Sequence, residues 1–142
     1  MTDGRSTPLS HTARFECDAL AIRGARALVG EMLTREGWAP LDVERARLVV
    51  SELVANAVVH ARSPFTLSYS YDGVLRVGVT DDDPHSDPHP KDAEPGRIGG
   101  MGLRLVAEIS RDWGVDRTAT GKTVWSVLEP QHDRQMASSS GA

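Results

Sequence analysis

Ser51-Glu52-Leu53-Val54-Ala55-Asn56-Ala57-Val58-Val59-His60-Ala61 is the stretch on which the reading of the fold turns, because it sets a carboxylate, an amide and an imidazole four residues apart. In an α-helix, steps of four return to nearly the same face, so Glu52, Asn56 and His60 are expected to form one polar stripe. Val50, Leu53, Val54, Ala57 and Val58 around them are apolar, which sets the stripe at the edge of a core-facing surface. A polar ridge at such an edge is expected to line a cleft.

The elements around this helix follow from periodicity and punctuation. Asp42 is expected to cap the helix, which reaches about Ala61, with Pro64 just beyond its end. Before it, Ala13 to Cys17 reads as a short strand. Asp18 then caps a helix running to about Glu36, with Ala21, Ile22, Ala25, Leu28, Val29, Met32 and Leu33 at helical spacing and Gly37 as its stop. After Pro64 the period changes to two. Phe65, Leu67, Tyr69 and Tyr71 alternate with polar residues, and after Asp72-Gly73 the alternation resumes through Leu75, Val77 and Val79, which predicts a hairpin with a type I′ turn. Residues 81–97 contain four prolines and almost nothing apolar, so they predict a long loop of the kind that serves as a lid or binding segment. A third helix from Leu103 to about Asp112 follows, then strands near Trp113 to Thr118 and Lys122 to Glu129.

Composition bounds the function. The 142 residues suit a single domain, expected over 13–130, between a flexible N-terminus (1–12) and a C-terminal tail (131–142) rich in small polar residues. A net charge of −4 argues against nucleic acid as the main partner. The single cysteine, Cys17, excludes an intrachain disulfide and fits a reducing compartment. No apolar run approaches the ~20 residues that span a bilayer, and the N-terminus lacks the apolar centre of a signal peptide, so a cytoplasmic protein with no membrane partner is expected.

Three constellations could carry chemistry. Gly99, Gly100 and Gly102 precede the third helix, and a glycine-rich helix start offers backbone N–H groups and the positive dipole end to a phosphate. Gly121-Lys122-Thr123 has the last letters of a P-loop, but Asp116 stands where the first glycine is needed and a strand follows instead of a helix. Lys122 and Thr123 remain candidates to face a ligand from that strand. The Asp81–His89 loop is rich in carboxylates and imidazoles but lacks the spacing of a calcium loop. Asp81 differs from its neighbours in ending a strand, where a side chain is held at the mouth of the fold.

Taken in order, Glu52-x-x-x-Asn56-x-x-x-His60 on a helix, Val79-Thr80-Asp81 ending a hairpin, a polar lid, Gly99-Gly100-Met101-Gly102-Leu103 and Gly121-Lys122-Thr123-Val124-Trp125 resemble the GHKL (Bergerat-fold) ATPases. Within that superfamily the chain is similar to the anti-sigma-factor serine/threonine kinases of the sporulation and stress-response type. The resemblance covers about Phe15 to Glu129. It implies a two-layer α/β sandwich, with helices on one face of a mixed, mainly antiparallel sheet and ATP held between helices, lid and sheet. Asn56 would coordinate Mg2+, and Glu52 would orient or deprotonate the attacking hydroxyl. Asp81 would accept the adenine amino group, the backbone of Gly99, Gly100, Met101, Gly102 and Leu103 would cradle phosphates, and Thr123 would support the adenine end. His60 fits the motif, with packing as its other reading. The implied partners are a sigma factor, an anti-anti-sigma protein of the STAS type and a second copy of the chain in a homodimer. The family's D-x-G-x-G pattern is absent, since Asp82-Asp83-Pro84-His85 follows Asp81 without a glycine. A non-catalytic partner-binding module on the same fold is the alternative. A stand-alone histidine kinase would need a phospho-accepting helical pair, which the residues before Phe15 do not supply.

Overall fold

Alternation of apolar and polar residues builds a sheet with one dry face, and that face determines where everything else packs. The computed structural model describes residues 9–84 and 102–132. In chain order the elements are β1 (Leu9–Phe15), α1 (Leu20–Arg35), α2 (Pro40–Ala55), a π-helical turn (Asn56–Ala61), β2 (Phe65–Tyr71), β3 (Leu75–Asp81), α3 (Gly102–Ile109), β4 (Asp112–Arg117) and β5 (Lys122–Leu128). The strands form one sheet in the order β1-β2-β3-β5-β4, and every neighbouring pair is antiparallel, where a mixed, mainly antiparallel sheet was expected. Phe65, Leu67, Tyr69, Tyr71, Leu75, Val77, Val79, Val124 and Leu128 point to the buried face, against the helices. Ser10, Ser68, Ser70, Arg76, Trp125 and Val127 line the opposite face in a shallow groove of about 410 Å³.

Helix α2 lies at the centre of the helical layer. Val43, Ala46, Val49, Val50, Leu53 and Val54 are all buried along it, at the three- and four-residue steps of a core seam. Burying each aliphatic side chain contributes about 1.5–3 kcal/mol, so this seam fixes the rotation of the helix and with it the direction of Glu52. Pro40 occupies the first helical position, and Ala39 before it is extended (φ −62°, ψ 146°), as a residue preceding proline must be. Asp42 therefore lies inside the first turn and does not cap it. Its buried carboxylate instead receives the backbone N–H of His132 at 2.8 Å on Oδ2, with the His132 ring Nδ1 at 2.8 Å from Oδ1. Burial pushes the Asp42 carboxyl up, but the bonds and charge of His132, together with the Gln131 backbone, outweigh it and hold the group below its ordinary value. Gln131 and His132, expected in the tail, are thus docked on α2.

Two further expectations change. Leu9 to Thr12, expected in the N-terminal segment, form the first half of β1, paired with Ser68 to Tyr71. In the β2–β3 hairpin the loop has three residues, Asp72, Gly73 and Val74, and Gly73 alone among them has a positive φ (98°), so the turn is not type I′. The register explains this, for it sets Tyr71 against Leu75 and Tyr69 against Val77 and so keeps apolar partners together on the buried face. Elsewhere the punctuation reads as expected: the Ala21 N–H donates to Asp18 Oδ1 at 3.1 Å, and Gly37 (φ 90°) ends α1. Trp38, just beyond, is buried and donates its indole N–H to the Tyr71 hydroxyl at 2.8 Å, pinning the α1–α2 connection to β2.

Candidate functional site

The C-terminal end of α2 meets the Asp81 end of the sheet, and the chemistry collects there. At Asn56 the α-helix gives way to the π-helical turn, whose wider i→i+5 bonding ends the four-residue repeat of one face. Glu52 and Asn56 stay together: Asn56 is buried and its Nδ2 donates to the Glu52 carbonyl at 3.0 Å. That bond fixes the amide and leaves Oδ1 as its acceptor end. His60, expected on the same stripe, follows on the wider turn and is exposed. Arg62, left-handed at φ 53° and ψ 44°, closes the turn and returns the chain toward β2.

Glu52 is half-buried, and its Oε1 is fully enclosed with no hydrogen-bond partner among the described residues. Burial pushes the carboxyl above the usual glutamate range. An unsatisfied buried carboxylate oxygen costs stability, and the same features make it a stronger proton acceptor than a solvated glutamate.

Ser63 ties this helix end to the sheet. Its hydroxyl donates to the Pro64 carbonyl at 2.8 Å and accepts the Asp82 N–H at 3.1 Å, so the residues after the π turn and those after β3 are held side by side. Asp81, the last residue of β3, is buried and paired in register with Lys122, the first of β5. Lys122 is itself only 1% exposed, and its Nζ lies 2.8 Å from Asp81 Oδ2. The Asp83 N–H donates to Asp81 Oδ1 at 2.8 Å, and Lys122 Nζ also donates to the Asp83 carbonyl at 3.3 Å. Gly121 makes this closeness possible, because a Cβ there would collide with the Asp81 carbonyl oxygen.

Thr123 does not join the cluster. As Lys122's neighbour on a strand it points to the other face, where its hydroxyl bonds Thr80 at 2.7 Å. Leu103 is buried near the start of α3. Gly99, Gly100 and Met101 lie outside the described residues, as do His85 and His89 of the loop, and Gly102 is the first residue of α3. Among the described residues no three His, Cys, Asp or Glu side chains gather to hold a metal, and no helix is long and apolar enough to cross a membrane. The site therefore combines a fixed amide oxygen, an enclosed carboxylate one turn before it and a buried ion pair at the sheet end. An amide oxygen suits a hard cation that takes its other ligands from phosphate and water.

Residues 15–128 match the sequence profile of the histidine kinase-like ATPase domain. The chain belongs to that family. In a histidine kinase-like ATPase domain the helix end and the Asp81 strand end, which Ser63 holds side by side, are parts that the sequence motifs mark. Among solved structures, the RsbU and RsbW domains of a Mycobacterium tuberculosis protein superpose with a TM-score of 0.65 at 21% identity, covering 91% of this chain and 34% of that one. The chain thus spans about a third of that structure's length. A chain of the SiaB–SiaC complex structure from Pseudomonas aeruginosa superposes with a TM-score of 0.64 at 14% identity, covering 83% of this chain and 88% of that one. Both likenesses are of fold. Comparison with curated proteins gives no match.

Proposed function

We propose that this histidine kinase-like ATPase domain binds Mg-ATP at the α2 end and transfers the terminal phosphoryl group to a serine or threonine of a STAS-type anti-anti-sigma protein, while also sequestering a sigma factor in the cytoplasm. The observation that carries this reading is Glu52. Its enclosed oxygen has no hydrogen-bond partner among the described residues, and burial raises the pKa of its carboxyl, one helical turn from an amide held by a hydrogen bond to the Glu52 carbonyl. Phosphoryl transfer needs a positioned proton acceptor beside the nucleotide, and these features support Glu52 in that role. In this reading Asn56 Oδ1 would hold the magnesium ion, which would supply charge neutralisation at the phosphates; Glu52 would accept the proton of the incoming hydroxyl; and Asp81 would accept a hydrogen bond from the adenine amino group. The structural likeness to RsbW domains and to the SiaB–SiaC complex is in keeping with a protein partner. A homodimer is part of the proposal.

The test is phosphoryl transfer from Mg-ATP to candidate STAS proteins. Glu52→Gln is expected to keep nucleotide affinity and lose transfer by about 10²–10⁴-fold, and Asn56→Ala to lose magnesium-dependent ATP binding. Unchanged transfer by Glu52→Gln would remove the residue from its role.

A second reading, a partner-binding module without catalysis, is favoured by one observation. Both Asp81 carboxylate oxygens already accept a bond within the protein. Under that reading wild type shows no magnesium-dependent nucleotide binding, and Asn56→Ala binds the partner fully.

A further inference from the structure

The ion pair at the end of β3 and β5 is an unusual thing to bury. Asp81 and Lys122 are 2% and 1% exposed, and taking both charges out of water costs as much as their attraction returns, so an apolar pair would hold the strands together equally well. Stability does not account for it. Position suggests what does: the pair lies on the helix-facing side of the sheet, beside the segment that Ser63 ties to the end of α2, where the proposed nucleotide's base would enter. Any base that gives a hydrogen bond to Asp81 brings its next ring atom toward an ammonium nitrogen only 2.8 Å from that carboxylate.

We infer that Lys122 is a base-reading residue. Asp81 accepts the 6-amino group of adenine while Lys122 donates to the adjacent ring nitrogen, N1, which takes the place of the Asp83 carbonyl. The exchange is reasonable because that carbonyl is the longer of these two lysine bonds, 3.3 Å against 2.8 Å. The chemistry is complementary, since the adenine edge presents a donor at position 6 beside an acceptor at N1, and the pair presents an acceptor beside a donor. A 6-oxo purine reverses both and sets its carbonyl oxygen against the carboxylate. Base entry also frees the Asp83 carbonyl, so recognition is coupled to the chain that leaves β3.

This inference rests on the nucleotide reading above and deepens it. The experiment is calorimetric binding, with Mg2+, of ATP and of 1-deaza-ATP, in which N1 is replaced by CH. The proteins are wild type, Lys122→Met and the double variant Asp81→Asn/Lys122→Met, which leaves no lone buried charge if the single variant fails to fold. Wild type is expected to bind 1-deaza-ATP about 10-fold or more weaker than ATP, the loss of a hydrogen bond from a charged group. The variants are expected to bind the two nucleotides alike. Equal binding of both by wild type, or the same ATP preference in wild type and variants, overturns the role of Lys122 and leaves the nucleotide site standing. Absence of ATP binding by wild type overturns the nucleotide site itself, and the base-reading role with it.

Discussion

Glu52→Gln removes a charge that burial penalises and keeps the shape of the side chain. Because the folded carboxyl lies above its unfolded value, the residue favours the native state below the ordinary glutamate value of 4.5, and that contribution is lost as pH rises through the raised value. The variant should therefore melt about 2–4 °C above wild type at about pH 7.5, with the gap closing in melts below pH 4.5. A variant that is more stable yet inactive is what a strained functional residue gives. Gly121→Ala is the opposite case, since its methyl collides with the Asp81 carbonyl. We expect it to lose about 2–4 kcal/mol in urea unfolding. At this scale the Glu52–Asn56 pair was legible, because a four-residue step needs only the helix to be right. Lys122 and Thr123 were both candidates to face a ligand from the strand, and Thr123 was chosen to support the adenine end. Along β5 both alternating sets contain valine, Val124 on one face and Val127 on the other, so periodicity does not say which set faces the helices. Asp81 settles it, because its register partner is Lys122.

Helix α2 is held at both ends by features of different kinds. At its start, the Asp42 carboxyl lies below its ordinary value of 3.8, so the His132 contacts stabilise the fold above that value, and the benefit is lost as pH falls through the lowered one. Asp42→Asn is expected to cost about 1–3 kcal/mol near neutral pH, with wild type and variant converging in acid; urea titrations across pH measure it. At its end, the π turn was not readable. Asn56 to Ala61 contain no glycine or proline, and the apolar run around them satisfies an α-helix equally well. The wider turn leads through left-handed Arg62 to Ser63, whose hydroxyl accepts the Asp82 N–H from the end of the hairpin, a tertiary constraint that no local pattern shows. The same limit applies to Asp42, whose type suggested a cap while Pro40 fixed an earlier start.

For the molecule as a whole, a bound nucleotide should act as a brace across helix end and sheet end. At 100 times its dissociation constant Mg-ATP would add about 2.7 kcal/mol, raising the melting temperature of wild type and leaving Asn56→Ala unmoved; thermal shift with Mg-ATP against ATP plus a chelator reads it. The layered architecture was legible because four strands and three helices announce themselves by period alone. The start of β1 was not, since Leu9 to Thr12 are exposed on an edge strand and have no buried alternation to reveal them. The three-residue loop between β2 and β3 has a consequence that reaches the far end of the hairpin. It sets Tyr71 opposite Leu75, and because facing residues of a hairpin point to the same side, Leu75, Val77, Val79 and Asp81 share the face of Phe65 and Leu67. Sliding β3 by one residue against β2, as opposed to changing the length of the loop, would turn over every β3 side chain and carry Asp81 to the outer face, away from Lys122. Nucleotide binding should survive a loop insertion that leaves this pairing unchanged and vanish with a slip of one residue, so calorimetry on loop variants checks that alignment at the opposite end of the strand orients the residue that reads the base.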